Sequence, residues 1–238
     1  MEFNPADNMV GSFTKNDGTI DFYLRVNSLL DSSYTVLDLG AGRAAWYEDD
    51  ICETRRSVRL IKGKVHKVIA ADIDEVVLNN RASDEQILIK GGELAIPPNS
   101  IDIIITDYVL EHIDDRNSFS KQIDLCLKSG GWFCARTPHK YSYVAICASL
   151  IKNKFHTAFL SRVQPNRKEI DVFPTKYKMN TLTDIHNTFA DWESRSFIFR
   201  SDPAYYFGSK IIYIALSAIH RFLPAFVSGN LFVFIKKP

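Results

Sequence analysis

The chain has 238 residues, 46% of them hydrophobic, with a formal net charge of +1. That length is one domain, or one domain with a sizeable insertion, and the apolar content is enough for a full core. The near-neutral charge sets up no global field toward nucleic acid or an anionic surface, so nucleic acid is not an expected partner.

The first predicted strand is "TVLDLG" (35–40), followed by "KVIAAD" (67–72), "QILIK" (86–90), "IDIIITD" (101–107) and "WFCART" (132–137). These runs are continuously apolar rather than alternating, which is how strands covered on both faces read. Helices are expected between them at 45–61, 75–82 and 117–128. The last ends in "KSGG", a cationic last turn followed by glycines. Alternation of strand and helix predicts an open α/β sheet with helices on both faces. After Pro138 the pattern changes to a mixed, basic, aromatic-rich stretch with a helix expected at 182–190. "SRSFIFR" (194–200) and "LFVFIKK" (231–237) are two further strands.

Four cysteines (Cys52, Cys126, Cys134, Cys147) lack Cys-x-x-Cys spacing and read as buried free thiols in a reducing cytoplasm. No signal peptide is expected, and no uncharged apolar stretch reaches the ~18 residues a spanning helix needs. No His, Cys, Asp and Glu set has metal spacing, so no metal is expected.

The turn after the first strand is Asp38-Leu39-Gly40-Ala41-Gly42. Ligands of open α/β sheets bind at the carboxyl ends of the strands, and two glycines let a ligand approach the backbone there. A bare strand–helix turn with no ligand is the plain alternative. Asp72, at the end of the second strand, can accept two hydrogen bonds from a ribose diol; such charge-assisted bonds are worth about 1.5–3 kcal/mol. It lies 34 residues after Asp38, beyond the ~20 that separate the glycines from the acid in a compact unit. The excess is the charged segment 49–67. Asp38 inside the turn would repel a dinucleotide pyrophosphate and favour a sulfonium or ammonium group, which speaks against a nicotinamide-dependent dehydrogenase.

The stretches "VLDLGAGR" (36–43), "ADIDEVVL" (71–78), "NSIDIIITDYVLEHI" (99–113) and "LKSGGWFCARTP" (127–138) together resemble the class I S-adenosylmethionine-dependent methyltransferases, closest to the type 11 group. The resemblance implies a Rossmann-like, seven-stranded, mostly parallel sheet, its last strand antiparallel, with helical insertions after strands five and six. It implies one methyltransferase domain over 1–238, with a cofactor-binding core at 35–138, an acceptor-side lid at 139–193 and an apolar helical insertion at 201–230. The implied cofactor is S-adenosyl-L-methionine. Asp38, Gly40, Ala41 and Gly42 line its methionine half, Asp72 takes the ribose and Ile73 packs on the adenine. Gly92, Glu93 and Leu94 pass near the adenine edge, and Asp107 and Tyr108 complete the pocket. Ala44 replaces a frequent third glycine, and "KGGEL" lacks the acid many relatives carry beside the adenine.

Methyl transfer needs nucleophile, methyl and sulfur held in line, and a base where the acceptor is a hydroxyl. The mouth should be built by "TDYVLEHIDD" (106–115) and "RTPHKYSY" (136–143). Candidate catalytic residues are His112, His139 and Asp107. His112 also reads as helix-start structure, His139 as a solvated loop histidine and Glu111 as a structural hydrogen-bonding partner. Arg55, Arg56, Arg59, Lys62, Lys64 and Lys67 read as a solvated face or, alternatively, a phosphate patch. Tyr141, Tyr143, Phe155, Phe159, Arg162, Arg167, Phe173 and Tyr177 are the expected lid readers.

The stretch 201–230 has three readings: it packs on the domain or caps the site, it is a homodimer contact through 205–227, or it is a peripheral membrane foot at the inner membrane face or a lipid-tail channel. The first functional expectation is methylation of a small-molecule or glycan hydroxyl in the cytoplasm, with a loose likeness to enzymes of glycan biosynthesis. The alternatives are a lipid or quinone methyltransferase, and a catalytically silent methyltransferase-like binding or assembly protein.

Overall fold

The computed structural model describes residues 3–150 and 174–238. Five parallel strands form one half of the sheet: β1 (Thr35–Leu39), β2 (Lys67–Asp72), β3 (Glu85–Leu88), β4 (Ile101–Asp107) and β5 (Leu127–Pro138). The other half is β6 (Glu193–Ser194), β7 (Phe197–Arg200) and β8 (Gly229–Lys236). The order is β3-β2-β1-β4-β5-β8-β6, with β7 also on β8. β8 is antiparallel to β5, as expected, and β6 and β7 are antiparallel to β8. The expected sixth strand is therefore one strand broken at Arg195–Ser196, where the Ser196 hydroxyl accepts the Phe234 N–H at 3.1 Å.

Helices cover both faces. α1 (Gly18–Asn27) starts at Asp17, whose Oδ1 accepts from the N–H groups of Thr19 and Ile20 at 2.9 and 3.0 Å. α1 buries Phe22, Tyr23 and Val26 against Val36, Ile103, Ile105 and Phe232. The opposite face carries α4 (Arg116–Cys126) and α6 (Leu182–Thr188), whose Ile123 and Ile185 pack on Leu37, Ile104 and Phe133. Successive residues of one strand, Val36 and Leu37, thus serve opposite cores.

Three expected helices differ. The segment 45–61 is two short helices, α2 (Trp46–Asp49) and α3 (Glu53–Arg59). Asp50 Oδ1 accepts the Cys52 N–H at 2.9 Å and Cys52 Sγ accepts the Arg55 N–H at 3.4 Å, so side chains cap a second helix instead of extending the first. The segment 75–82 is a 3₁₀ turn over Glu75–Asn79. The segment 117–128 stops at Cys126, and "KSGG" is an irregular start to β5, with Gly130 at φ +76° and Lys128 Nζ on Asp102 at 2.7 Å.

Beyond β5 lie α5 (Tyr143–Leu150), α7 (Lys210–Phe222) and α8 (Ala225–Ser228). Among the described residues no helix is long and apolar enough to cross a membrane. The four cysteines are free, three of them buried; burial pushes the Cys126 thiol up to about 11 and raises Cys134 as well.

Candidate active site

β1, β2 and β4 end side by side, and their terminal acids meet the glycine turn. Gly40 donates its N–H to the Ala71 carbonyl at 2.7 Å, and Ala41 N–H points to the same oxygen at 3.3 Å. At φ +77°, Gly40 has room for no side chain: a Cβ would stand 2.2 Å from Val109 Cγ2. A Cβ on Gly42 would meet nothing within 4 Å, so that backbone faces open space. Asp72 Oδ2 accepts the Gly42 N–H at 2.8 Å and its Oδ1 accepts the Asp74 N–H at 3.0 Å. Asn80 Nδ2 donates to the Gly42 carbonyl at 2.9 Å. Beside Asp72, the Ile73 side chain is 61% exposed, an uncovered apolar surface at the site.

Asp38 accepts no hydrogen bond among the described residues. Burial pushes its carboxyl up to about 7; Arg59 pulls against this, and the charges of Asp107 and Asp72 add to it. The cation that acts on Asp38, Arg59, is shared with Asp107. The cradle of open backbone at Gly42, Asp38 without a hydrogen bond and the exposed Ile73 fit a ligand with an ammonium at one end and an apolar ring at the other.

Asp107, the last residue of β4, is held differently. Arg136 of β5 binds it twice, Nε to Oδ1 and Nη2 to Oδ2, both at 2.7 Å. Arg59 Nη2 lies 3.2 Å from Oδ2, and the Tyr23 hydroxyl donates to Oδ2 at 3.4 Å. Burial alone would raise this carboxyl, but Arg136 and Arg59 outweigh it and hold it below the usual range. Arg136 is itself buried and donates from Nη1 to the Thr19 hydroxyl at 2.8 Å. The Arg59 guanidinium lies 4.7 Å over the Trp46 ring and Arg136 4.8 Å over Tyr108. Tyr108 sits at φ +61°, and its hydroxyl accepts from Asn230 Nδ2 at 3.1 Å. Both oxygens of Asp107 thus face cations, the opposite of a free base.

His112 ends a 3₁₀ turn (Leu110–His112), its Nδ1 3.0 Å from the Pro174 carbonyl. Glu111 is buried and accepts from the Thr137 hydroxyl at 2.8 Å. His139, expected in a solvated loop if not in the site, is buried. Its Nδ1 accepts the Tyr141 N–H at 3.2 Å, its ring packs 6.0 Å from Phe226, and burial lowers its pKa. The structure brings Asp38, Gly40, Ala41, Gly42, Asp72, Ile73, Asp107 and Tyr108 to one end of the sheet. Gly92, Glu93 and Leu94 form a loop after β3 that the Gln122 amide clamps from α4, donating to the Gly92 carbonyl and accepting the Leu94 N–H, both at 2.9 Å. Two open clefts flank the strand ends: one of about 500 Å³ between Arg43 and Arg81, one of about 660 Å³ between Arg116 and Lys140.

The basic run is not one solvated face. Arg55 binds Asp17 and Asp50 at 2.9 and 2.8 Å, Arg59 belongs to the Asp107 cluster, and Lys62 donates to the Ser83 carbonyl at 2.6 Å. Arg59, Arg136, Tyr23, Asn80 and Gln122 shape the site without having been singled out in the sequence for it. Arg136 alone carried a local signal, a charge inside an apolar strand, which demands a buried partner. Of the expected lid readers, Tyr141, Tyr143 and Tyr177 are described; Phe155, Phe159, Arg162, Arg167 and Phe173 lie outside the described residues. No group of three or more His, Cys, Asp or Glu among the described residues is placed to hold a metal.

Residues 50–135 match the methyltransferase domain family, a match that begins beyond the glycine turn. A Mycolicibacterium smegmatis protein described as "Probable S-adenosylmethionine-dependent methyltransferase" is 30% identical over 109 residues. That stretch is 44% of this chain and 42% of the relative, less than half of its length. Among solved structures, a SAM-dependent methyltransferase from Archaeoglobus fulgidus superposes with a TM-score of 0.56 at 12% identity, covering 94% of this chain and 95% of that one. Geranyl diphosphate C-methyltransferase from Streptomyces coelicolor A3(2), solved with Mg²⁺, geranyl diphosphate and S-adenosyl-L-homocysteine, superposes with a TM-score of 0.56 at 11% identity over 93% of this chain and 79% of that one. At such identities these superpositions speak for the fold.

Proposed function

Starting from a chain that carries a class I S-adenosylmethionine-dependent methyltransferase domain, we propose that it transfers a methyl group to the hydroxyl of a small-molecule or glycan acceptor. Asp38 carries the reading, as a half-buried carboxyl that accepts no hydrogen bond among the described residues, beside open glycine backbone. Ionised, it holds the ammonium of the methionine half against Gly40, Ala41 and Gly42. Asp72 has lone pairs left for a ribose diol after its two backbone bonds. Ile73 gives the adenine an apolar face, and Gly92, Glu93 and Leu94, fixed by Gln122, border its edge. When bound, S-adenosylmethionine supplies an electrophilic methyl on sulfonium.

The chain's own residues hold the two partners in line and keep water out, which supplies about 7–11 kcal/mol of the barrier in well-oriented reactions. Asp107 positions rather than reacts: its ion pair with Arg136 sets the Tyr108 ring at the mouth. His112 is the better base of the two histidines. Its Nδ1–H donates to the Pro174 carbonyl, which fixes the neutral tautomer with Nε2 unprotonated. In His139 the Tyr141 N–H already occupies Nδ1. A lipid or quinone acceptor is the second reading, favoured by the exposed apolar residues of α7.

Calorimetric titration with S-adenosylhomocysteine tests the cofactor pocket. Micromolar binding by the wild type, lost in Asp72→Ala, is expected. NAD(P) binding in its place overturns the reading. His112→Ala should lose turnover with cofactor affinity kept; full turnover in both His112→Ala and His139→Ala removes both as bases.

A further inference from the structure

We infer that the outward face of α7 docks this protein on an anionic lipid bilayer, so that an acceptor anchored in lipid reaches the strand ends from the membrane plane. The acceptor part rests on the methyl transfer proposed above; the docking does not. α7 points Tyr213 and His220 inward, onto Phe3 and Tyr143 at ring distances of 5.6 and 5.5 Å. Ile211, Ile214, Ala215, Ala218 and Phe222 follow one another at helical spacing on the other side and are all exposed, Ile211 by 81% and Phe222 by 89%. Phe226, in α8, is exposed as well. At 13 residues, α7 is about 20 Å long, too short to span a bilayer and suited to lying along one.

Charge identifies the occupant. Lys210 and Arg221 are exposed one residue before Ile211 and Phe222, three turns apart on the same flank of the stripe. No acid occurs after Asp202, and Asp202 itself is tied to Thr14 and Asn16. Cations bordering an apolar stripe match anionic headgroups above acyl chains, with the long side chains reaching up to the phosphates. A second copy matches less well, because a two-fold contact through this face brings the cations of both copies together with no acid on α7 to pair them. The face is also joined to the acceptor side: His220 packs on Tyr143, and the Phe226 ring lies 6.0 Å from His139.

Flotation of the full chain tests the docking. The vesicles are phosphatidylcholine alone, and equal parts of phosphatidylcholine and phosphatidylglycerol. Wild type should float with the anionic vesicles at low salt and leave them at high salt. Ile211→Glu/Phe222→Glu should bind at least about tenfold more weakly. Lys210→Gln and Arg221→Gln should each weaken binding about fivefold. Failure of the wild type to float overturns the inference, whether a second copy or another part of the chain covers the face. Sedimentation showing a dimer that Phe222→Glu splits, with no vesicle binding, overturns it in favour of the second copy. Titration of the same variants with S-adenosylhomocysteine reads the methyl-transfer proposal separately: flotation without cofactor binding keeps the docking and sinks that proposal, and cofactor binding without flotation does the reverse.

Discussion

β1 and β4 are neighbours in the sheet and both carry an aspartate at their carboxyl ends, yet the two acids live under opposite rules. Asp107 is clasped by Arg136 and approached by Arg59 and Tyr23, and its carboxyl is held low. Asp38 has no such clasp, and burial pushes it up to about 7. The same side chain on adjacent strands is structural where the chain supplies its own cation and receptive where it does not. A receptive acid costs the empty protein stability, and a ligand cation relieves that cost.

The largest expected effect comes from undoing the structural half. Arg136→Ala leaves Asp107 charged and buried without its main partner and should lower unfolding free energy by about 3–5 kcal/mol, read from urea midpoints. Adding Asp107→Asn should recover part of that loss; no recovery would show that Arg136 acts by packing alone. Next comes the receptive half. A carboxyl raised in the folded state contributes stability that is fully present below its unfolded value near 4 and lost as pH rises through about 7. Asp38→Asn should therefore be more stable than wild type at pH 8 by roughly 2–4 kcal/mol, with the gap closing toward pH 4, while binding S-adenosylhomocysteine at least about tenfold more weakly. Equal melting temperatures at pH 8 would break the contrast. In wild type, affinity for S-adenosylhomocysteine should climb between pH 6 and 8, where Asp38 ionises, and the slope should vanish in Asp38→Asn. The smallest effect carries no charge: Gln122→Ala frees the loop Gly92–Leu94 and should weaken the same ligand by about 1–2 kcal/mol with a nearly unchanged urea midpoint.

The receptive half was readable in the amino-acid sequence because it is local. Asp38, the two glycines and Asp72 stand at the ends of apolar runs, where strand direction alone brings them together. The structural half is a set of pairings between distant elements: Tyr23 from α1, Arg59 from α3 and Arg136 from β5 converge on Asp107, and no spacing announces that. α1 itself is rich in β-branched and aromatic residues, Thr19, Ile20, Phe22, Tyr23 and Val26, which favour strand as readily as helix. Only Asp17, capping two N–H groups, marks its start. The break in 45–61 hid for a related reason: Cys52 is a rare cap, and its sulfur is recognised as one only once the Arg55 N–H is seen upon it.

The seating of α1 has a consequence for how the chain is made. Phe22 packs 5.4 Å from Phe232 and 5.6 Å from Phe234, and Arg136 reaches Thr19. Part of the aromatic face of α1 therefore meets its partners only when β8 emerges. At about 5–20 residues per second, Phe22 waits on the order of 10–40 s for Phe232 and Phe234. Nascent chains stalled before β8 should be held by chaperones through that face, and one late antiparallel pairing should complete the β1–β5 half, so that folding is slow and closes from the carboxyl end.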